Sequence, residues 1–221
     1  MYEIIDLNRH LLEIRLEHLQ SVQDLAEEAF SRHDARIDEW YEERRIAADD
    51  DEIVEDRDYL KEVFDEQKAE ANDIYPQIAR ASLFAMAYGI FEDFMVSLCK
   101  HSERHLHGPG LRDLRGEGIV RARLYLTKVA RVDCPNTQEW KDLTDYGLLR
   151  NALLHAQGDI SNSDKAQSIE GLAKRTGTFV IKANRTKITL SRPFNGTFMK
   201  TVENFSRQLE AVWREFSSQT T

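Results

Sequence analysis

Three polar side chains that could act together, Arg150, Asn151 and His155, lie close to one another in an otherwise apolar segment. Histidine gains and loses a proton near neutral pH, and the guanidinium of arginine stays charged and binds anions through several N–H groups. In a helix, Asn151 and His155 are one turn apart and share a face. Arg150 lies about 140° around the axis from His155, but its long side chain could reach the same cleft. The pattern therefore indicates a site for proton transfer beside a fixed positive charge.

A purely structural explanation of the same residues is also open. Asn151 and His155 could be a polar pair near a helix end, where a positive charge is favourable. Arg150 could form an ion pair with Asp142 or Asp145. Neither explanation requires a ligand.

The helix that carries these residues is predicted over about residues 137–157. Asn136 is a suitable N-cap, and Glu139 three residues later completes a capping-box-like pattern. Apolar residues continue at helical spacing, and Gly158 is a natural stop. Gly147 in the middle of this helix costs roughly 0.5–1 kcal/mol relative to Ala, which suggests the close approach of another helix.

The remaining segments predict a mainly α-helical fold. A long N-terminal helical hairpin is expected from residues 7–45 and from about residue 55 onward, joined by an exposed acidic turn at 48–52. Pro76 either kinks the second helix or opens a third. The expected later segments are a strongly apolar helix at 77–105, a helix at about 117–132, a polar loop at 159–176, a β-hairpin near 178–190 and a last helix at about 197–217. The predicted architecture is a helical bundle with a small β-hairpin before the last helix.

The charge distribution suggests two parts, 1–75 and 76–221. The 221-residue chain has a formal net charge of −9, of which residues 1–75 carry −15 and residues 76–221 carry +6. The first part is an acidic hairpin that either belongs to the bundle or protrudes as an arm. The second could meet a polyanion. The chain has no obvious signal segment or transmembrane stretch and only two cysteines, so a cytoplasmic protein is expected, without membrane association.

The segment from Leu148 to Ala156 resembles the Arg-x4-His motif of HEPN domains, in the form with a polar residue after the arginine. HEPN domains are helical bundles that carry this motif on a late helix, preceded by a buried apolar helix. Residues 81–98 would be that earlier helix, and the resemblance covers about residues 76–217. Some HEPN toxins have a tyrosine two residues after the histidine, where this chain has Gln157, so regulation by nucleotide attachment is in doubt.

The resemblance implies a metal-independent endoribonuclease with Arg150, His155 and Asn151 as its catalytic residues. It needs no cofactor and no metal, because the 2′-hydroxyl of RNA is the nucleophile. HEPN sites usually form where two motifs meet, which implies a homodimer through the 137–157 helix. A toxin or anti-phage defence effector, with an antitoxin or another protein partner, is the implied role. The alternative is a non-catalytic HEPN-like scaffold that binds a protein partner through the acidic arm.

Three weaker signals accompany the motif. Glu92 on the apolar helix could orient Arg150, with Asp93 as an equal rival. His101 and His105 have a spacing that can bind a metal, but no second ligand cluster is apparent. An RNA-facing surface is expected around four basic residues, although such charge runs are more often solvated faces: Arg121, Arg123, Lys128 and Arg131.

Overall fold

The computed structural model describes residues 2–50, 54–161, 164–182 and 184–219. Within them the protein is mainly helical, with one small antiparallel hairpin before the last helix, which confirms the predicted fold class. The elements are α1 (Tyr2–Asp50), α2 (Val54–Ala69), a π-helical turn (Glu70–Ile74), α3 (Tyr75–Glu103), a 3-10 turn (Leu111–Asp113), α4 (Gly118–Lys128), α5 (Gln138–His155), α6 (Ala166–Thr176), β1 (Phe179–Lys182), β2 (Lys187–Leu190) and α7 (Phe194–Gln219).

The long helix α1 runs antiparallel to both α3 and α7. Ion pairs at several levels fix this arrangement with α7, among them Arg9–Glu210 and Asp6–Arg214. The buried apolar residues of the first part of α1, Ile5, Leu12, Leu16 and Leu19, belong to the same core as α3 and α7. The acidic hairpin therefore contributes to the bundle through the first half of α1, while its second half pairs with α2.

A buried ion pair holds α1, α3 and β2 together. Arg80 of α3 binds both carboxylate oxygens of Glu27 at 2.7 and 2.8 Å, and both side chains are largely shielded from solvent. Arg80 also donates to the carbonyl of Leu190 at the end of β2. Gln77 binds the N–H and the carbonyl of the same residue. The β-hairpin is thereby fixed to the helical core.

Aromatic rings fill the space between α3, α5 and α7. Phe84 of α3 contacts Phe194 and Phe198 of α7 edge-on, with ring centroids 5.0 Å apart in each case. Tyr146 of α5 packs against the same two rings. Edge-to-face pairs add to the stabilisation from apolar burial. This cluster fixes the position of α5, the helix that carries the Arg-x4-His motif.

The acidic segment at 48–52 is not the expected turn where it is described, because α1 continues through Asp50. No Gly or Pro occurs in residues 2–50 to end the helix earlier. Residues 51–53 lie outside the described ranges. At Pro76 the chain stays helical, since the π-helical turn directly before α3 accommodates the missing N–H of proline.

The expected loop at 159–176 is wrong in its second half, which forms α6. Ala166, Ile169 and Leu172 recur at intervals of three and are buried in the common core. Gly177 then ends the helix with a φ of 64°, in the left-handed region that glycine favours. In the sequence these three apolar residues are surrounded by polar residues, which favour the prediction of a loop.

One stretch within Arg57–Glu103 is apolar and long enough to cross a membrane by composition, among the residues that the structure describes. Half of it is buried inside the protein. Its buried side chains, including Phe84, Phe91 and Met95, form the centre of the bundle. The apolarity of this helix is thus accounted for by its place in the core.

Candidate functional site

Arg150 is half-buried on the inner edge of α5, and no carboxylate among the described residues forms an ion pair with it. Its Nε atom is buried without a hydrogen-bond partner among the described residues. Its Nη1 atom donates to Oδ1 of Asn151 at 3.3 Å, a long contact. Its guanidinium carbon lies 5.8 Å from the ring centroid of Tyr88. Burying such an unpaired cation has a free-energy cost unless an anion binds to it.

The predicted structural partners of Arg150 are occupied by another arginine. Arg175 of α6 binds Asp142 and Asp145, each at 2.7 Å. The ion pair of Arg150 with either aspartate, which was one part of the structural explanation open from the sequence, is therefore not formed.

Arg150 lines a cavity of about 210 Å³ between α3, α4 and α5. Tyr88, Glu92, Glu117, Gly118 and Asn151 share this cavity with it. The walls thus combine one cation, two carboxylates, a phenol and an amide. These groups offer both donors and acceptors to a polar ligand.

The close approach at Gly147 comes from α3 of the same chain. A Cβ on Gly147 would lie 2.5 Å from the phenol oxygen of Tyr88 and 3.2 Å from its Cζ. Burial raises the pKa of Tyr88, and the nearby charge of Glu92 raises it further, so the phenol stays protonated. Gly147 therefore makes room for Tyr88 beside the cavity, and its presence does not require a second chain.

Glu92 lies in the predicted neighbourhood of Arg150 but forms no ion pair with it. Its Oε1 lies 3.2 Å from the position that a Cβ on Gly118 would occupy, so the carboxylate faces the first residue of α4. Negative charge is favourable at a helix N-terminus. Asp93, the rival, points away from the cavity and pairs weakly with Arg15 of α1 at 3.4 Å.

His155 is the last residue of α5, and its side chain is exposed. It lines none of the cavities described here, whereas Asn151 lines the Arg150 cavity and a second cavity of about 570 Å³ on the α6 side. Within one chain, Arg150 and His155 therefore do not converge on one cleft. The sequence placed them on one helix correctly, but Arg150 turns inward and His155 remains in solvent.

The four basic residues of the predicted RNA surface lie on α4 and just after it. Arg123 and Lys128 line a cavity of about 480 Å³ between α4 and α5. Arg121 lies two helical turns before Lys128, with its Cα and Cβ near Gly116. Arg131 is exposed beyond the end of α4, with a φ of 60°. Two of the four therefore line one cavity, and the RNA surface remains a prediction.

The rings of His101 and His105 contact each other at the end of α3 in a tilted arrangement. The rings of His101 and His105 have centroids 4.8 Å apart, and burial lowers the pKa of His101. Glu103 is engaged elsewhere, accepting a hydrogen bond from the backbone N–H of Leu111. Across the described residues, no group of three or more potential ligands is placed to hold a metal ion.

The start of α5 differs in detail from the sequence prediction. Thr137, not Asn136, is the residue before the first turn, and its hydroxyl bonds Oε1 of Gln208 on α7. Hydrogen bonds lower the pKa of Glu139, first from its own backbone N–H and then from Thr137 and Gln208. Thr137 makes no side-chain capping hydrogen bond, so the capping box expected from Asn136 and Glu139 is not formed.

Comparisons of the chain with protein-family models, with curated proteins and with solved structures found no match.

Proposed function

We propose that this protein is a metal-independent endoribonuclease of the HEPN type, with Arg150, His155 and Asn151 as its catalytic residues. The observation that carries the proposal is the state of Arg150. It is half-buried at a cavity, and within the described part of the chain it has no carboxylate partner and its Nε is unpaired. A phosphate is a suitable partner for such a group, since guanidinium binds phosphate oxygens through paired hydrogen bonds.

The proposed reaction is attack by a ribose 2′-hydroxyl on the adjacent phosphorus. One histidine removes the 2′-hydroxyl proton as the new P–O bond forms. A second histidine donates a proton to the 5′-oxygen as the bond from phosphorus to that oxygen breaks. Arg150 stabilises the extra negative charge on the non-bridging oxygens. The products are a 2′,3′-cyclic phosphate and a free 5′-hydroxyl, and Asn151 helps to hold the phosphate.

In the proposed homodimer, which forms through the 137–157 helix, the second chain supplies the histidine that the Arg150 cavity of one chain lacks. The exposed side of α5 includes Lys141, Asn151, Leu154 and His155, and Leu154 is an apolar residue with 46% of its surface exposed. If two copies meet on this side, His155 of one can approach the Arg150 cavity of the other. Two histidines then provide the base and the acid.

The direct test is cleavage of RNA by purified protein in EDTA. Arg150→Ala and His155→Ala should each abolish cleavage. Arg112→Ala and His107→Ala remove the same side-chain types from exposed positions outside the described cavities and should cleave like wild type. Equal cleavage by all five proteins would indicate a contaminating nuclease and refute the assignment.

A mixing experiment tests the shared site. Arg150→Ala and His155→Ala chains, each inactive alone, should regain activity when they are unfolded together and refolded as a mixture. Heterodimers then contain one site with both residues intact. If the mixture remains inactive although cross-linking shows that heterodimers form, both residues act within one chain.

The alternative is a non-catalytic HEPN-like module that binds a protein partner through its acidic arm. The arm exposes large apolar side chains among its acidic residues, namely Ile46 at 59% and Tyr59 at 70%. Isolated exposed apolar residues on a charged surface can anchor a partner. This reading is favoured if wild type cleaves none of a range of RNAs and Tyr59→Ser abolishes binding to a purified partner.

The proposed biological role is that of a cytoplasmic toxin or anti-phage defence effector, held in check by an antitoxin. Induced expression should then arrest cell growth, and His155→Ala should remove the arrest. An arrest that persists in His155→Ala would contradict an RNase toxin.

A further inference from the structure

The cavity lined by Arg123 and Lys128 lies beside the Arg150 cavity in the groove between α4 and α5. It has a volume of about 480 Å³, within the range of ordinary ligand pockets. Val120 and Thr144 line both cavities, so the two cavities adjoin at these residues. Thr144 and Arg150 are about 9 Å apart along α5, from the helical rise.

The guanidinium of Arg123 is held in a fixed orientation at the cavity that Arg123 shares with Lys128. This guanidinium lies over the indole of Trp140, 4.6 Å from the ring centroid. Its Nη2 atom donates to the carbonyls of Cys134 and Pro135 at 3.3 and 3.1 Å, which fixes the plane. Its Nε atom is buried without a hydrogen-bond partner among the residues described. Like Arg150, it forms no ion pair with a carboxylate in the part of the chain that the structure describes.

The other lining residues supply complementary groups. Lys128 is exposed at the edge of the cavity, where a flexible ammonium can reach a phosphate. Asn136 and Asp133 carry an amide and a carboxylate that can bind the polar edge of a base. Leu124, 36% exposed, adds apolar surface for a ring.

We infer that this cavity binds one nucleotide of a single-stranded RNA whose scissile phosphate lies at Arg150, an inference that rests on the proposed function. The base stacks on the guanidinium of Arg123, which is itself stacked on Trp140. Arginine planes are established stacking surfaces for unpaired bases. Lys128 binds the phosphate of that nucleotide, and Asn136 contacts the edge of its base. Duplex RNA, whose bases are already stacked and paired, does not enter.

The test uses a fluorescent 2′-O-methyl RNA oligonucleotide, which lacks the nucleophile and remains intact during binding measurements by anisotropy. Lys128→Ala should weaken binding severalfold and lower the slope of log K against log salt by about 0.7. Asn136→Ala should weaken binding about fivefold, the value of one hydrogen bond, without changing the salt slope. Lys174→Ala, an equal charge change on an exposed α6 residue that lines neither cavity, should bind like wild type.

The binding and cleavage results distinguish a failure of the nucleotide site from a failure of the proposed ribonuclease function. If Lys128→Ala and Asn136→Ala bind the oligonucleotide like Lys174→Ala, or if wild type does not bind it, the nucleotide site is overturned. If both variants weaken binding but wild type cleaves no unmodified RNA, the nucleotide site stands and the ribonuclease assignment fails. Melting temperatures equal to wild type confirm that the variants are folded.

Discussion

The contact between Tyr88 and Gly147 gives a quantitative test of how α5 is positioned. In Gly147→Ala the new Cβ would lie 2.5 Å from the phenol oxygen, a distance at which one group must move. Tyr88 is packed among Phe84, Phe91 and Phe198, so its ring has little room. Overpacking of this kind costs about 1–3 kcal/mol, and replacing a helical Gly by Ala returns about 0.5–1 kcal/mol. The expected net loss lies between about 0 and 2.5 kcal/mol.

Gly89 is the matched control, because a Cβ there meets nothing within 4 Å. Gly89→Ala should therefore stabilise the protein by about 0.5–1 kcal/mol. In chains of this size 1 kcal/mol corresponds to about 2–4 °C in Tm, so thermal unfolding followed by circular dichroism resolves the difference. The nearest atom after removal of the hydroxyl is Cζ, 3.2 Å from the new Cβ. Tyr88→Phe should thus recover most of the loss in the double variant.

A rise in Tm for Gly147→Ala as large as that for Gly89→Ala would contradict this prediction. That result would mean that Tyr88 does not lie on Gly147 and that the wall of the Arg150 cavity is different. If the Gly147→Ala/Tyr88→Phe variant is no more stable than the sum of the two single effects predicts, the hydroxyl of Tyr88 is not the cause of the destabilisation.

Three further predictions concern the rest of the bundle. Arg80→Met leaves the carboxylate of Glu27 buried and should destabilise by about 3 kcal/mol in urea unfolding; a loss below about 0.5 kcal/mol would contradict a buried pair. Ile169→Ala should cost about 2–4 kcal/mol because this α6 residue is fully buried, and an unchanged midpoint would place α6 in solvent. The pKa of Asp34 is lowered, chiefly by its hydrogen bond from Lys68, so wild type should exceed Asp34→Asn in Tm at neutral pH. The Tm difference should shrink once the pH falls below about 3.9, the pKa of an unfolded aspartate, and should disappear as the pH falls through the folded pKa. A Tm difference that grows as the pH falls would contradict this prediction.

The sequence was sufficient for elements with long, strong patterns. The apolar run of α3, the β-branched pairs of the hairpin and the stripe of α7 all appear close to their predicted places. It was insufficient for α6, where only Ala166, Ile169 and Leu172 mark the buried side. Short helices depend on tertiary burial more than on local preference, so the decisive information lay in the neighbouring α5.

The candidate site was predictable only as a set of residues. Spacing places Arg150 and His155 on one helix, but it does not determine which way a long side chain turns. The occupation of Asp142 and Asp145 by Arg175 depends on a residue 33 and 30 positions away, and the contact of Tyr88 with Gly147 joins two separate helices. Such partners follow from packing, which helical periodicity along a single segment does not encode.

The central claim is that the 2′-hydroxyl of RNA is the nucleophile at a site formed by Arg150 and His155. The most direct measurement is the product of cleavage in EDTA, using end-labelled RNA and the same RNA with 2′-O-methyl groups. Wild type is predicted to give fragments ending in a 2′,3′-cyclic phosphate from the unmodified RNA and none from the methylated RNA, with His155→Ala inactive on both. Cleavage of the methylated RNA, or cyclic phosphate formed equally well by His155→Ala, would contradict the account.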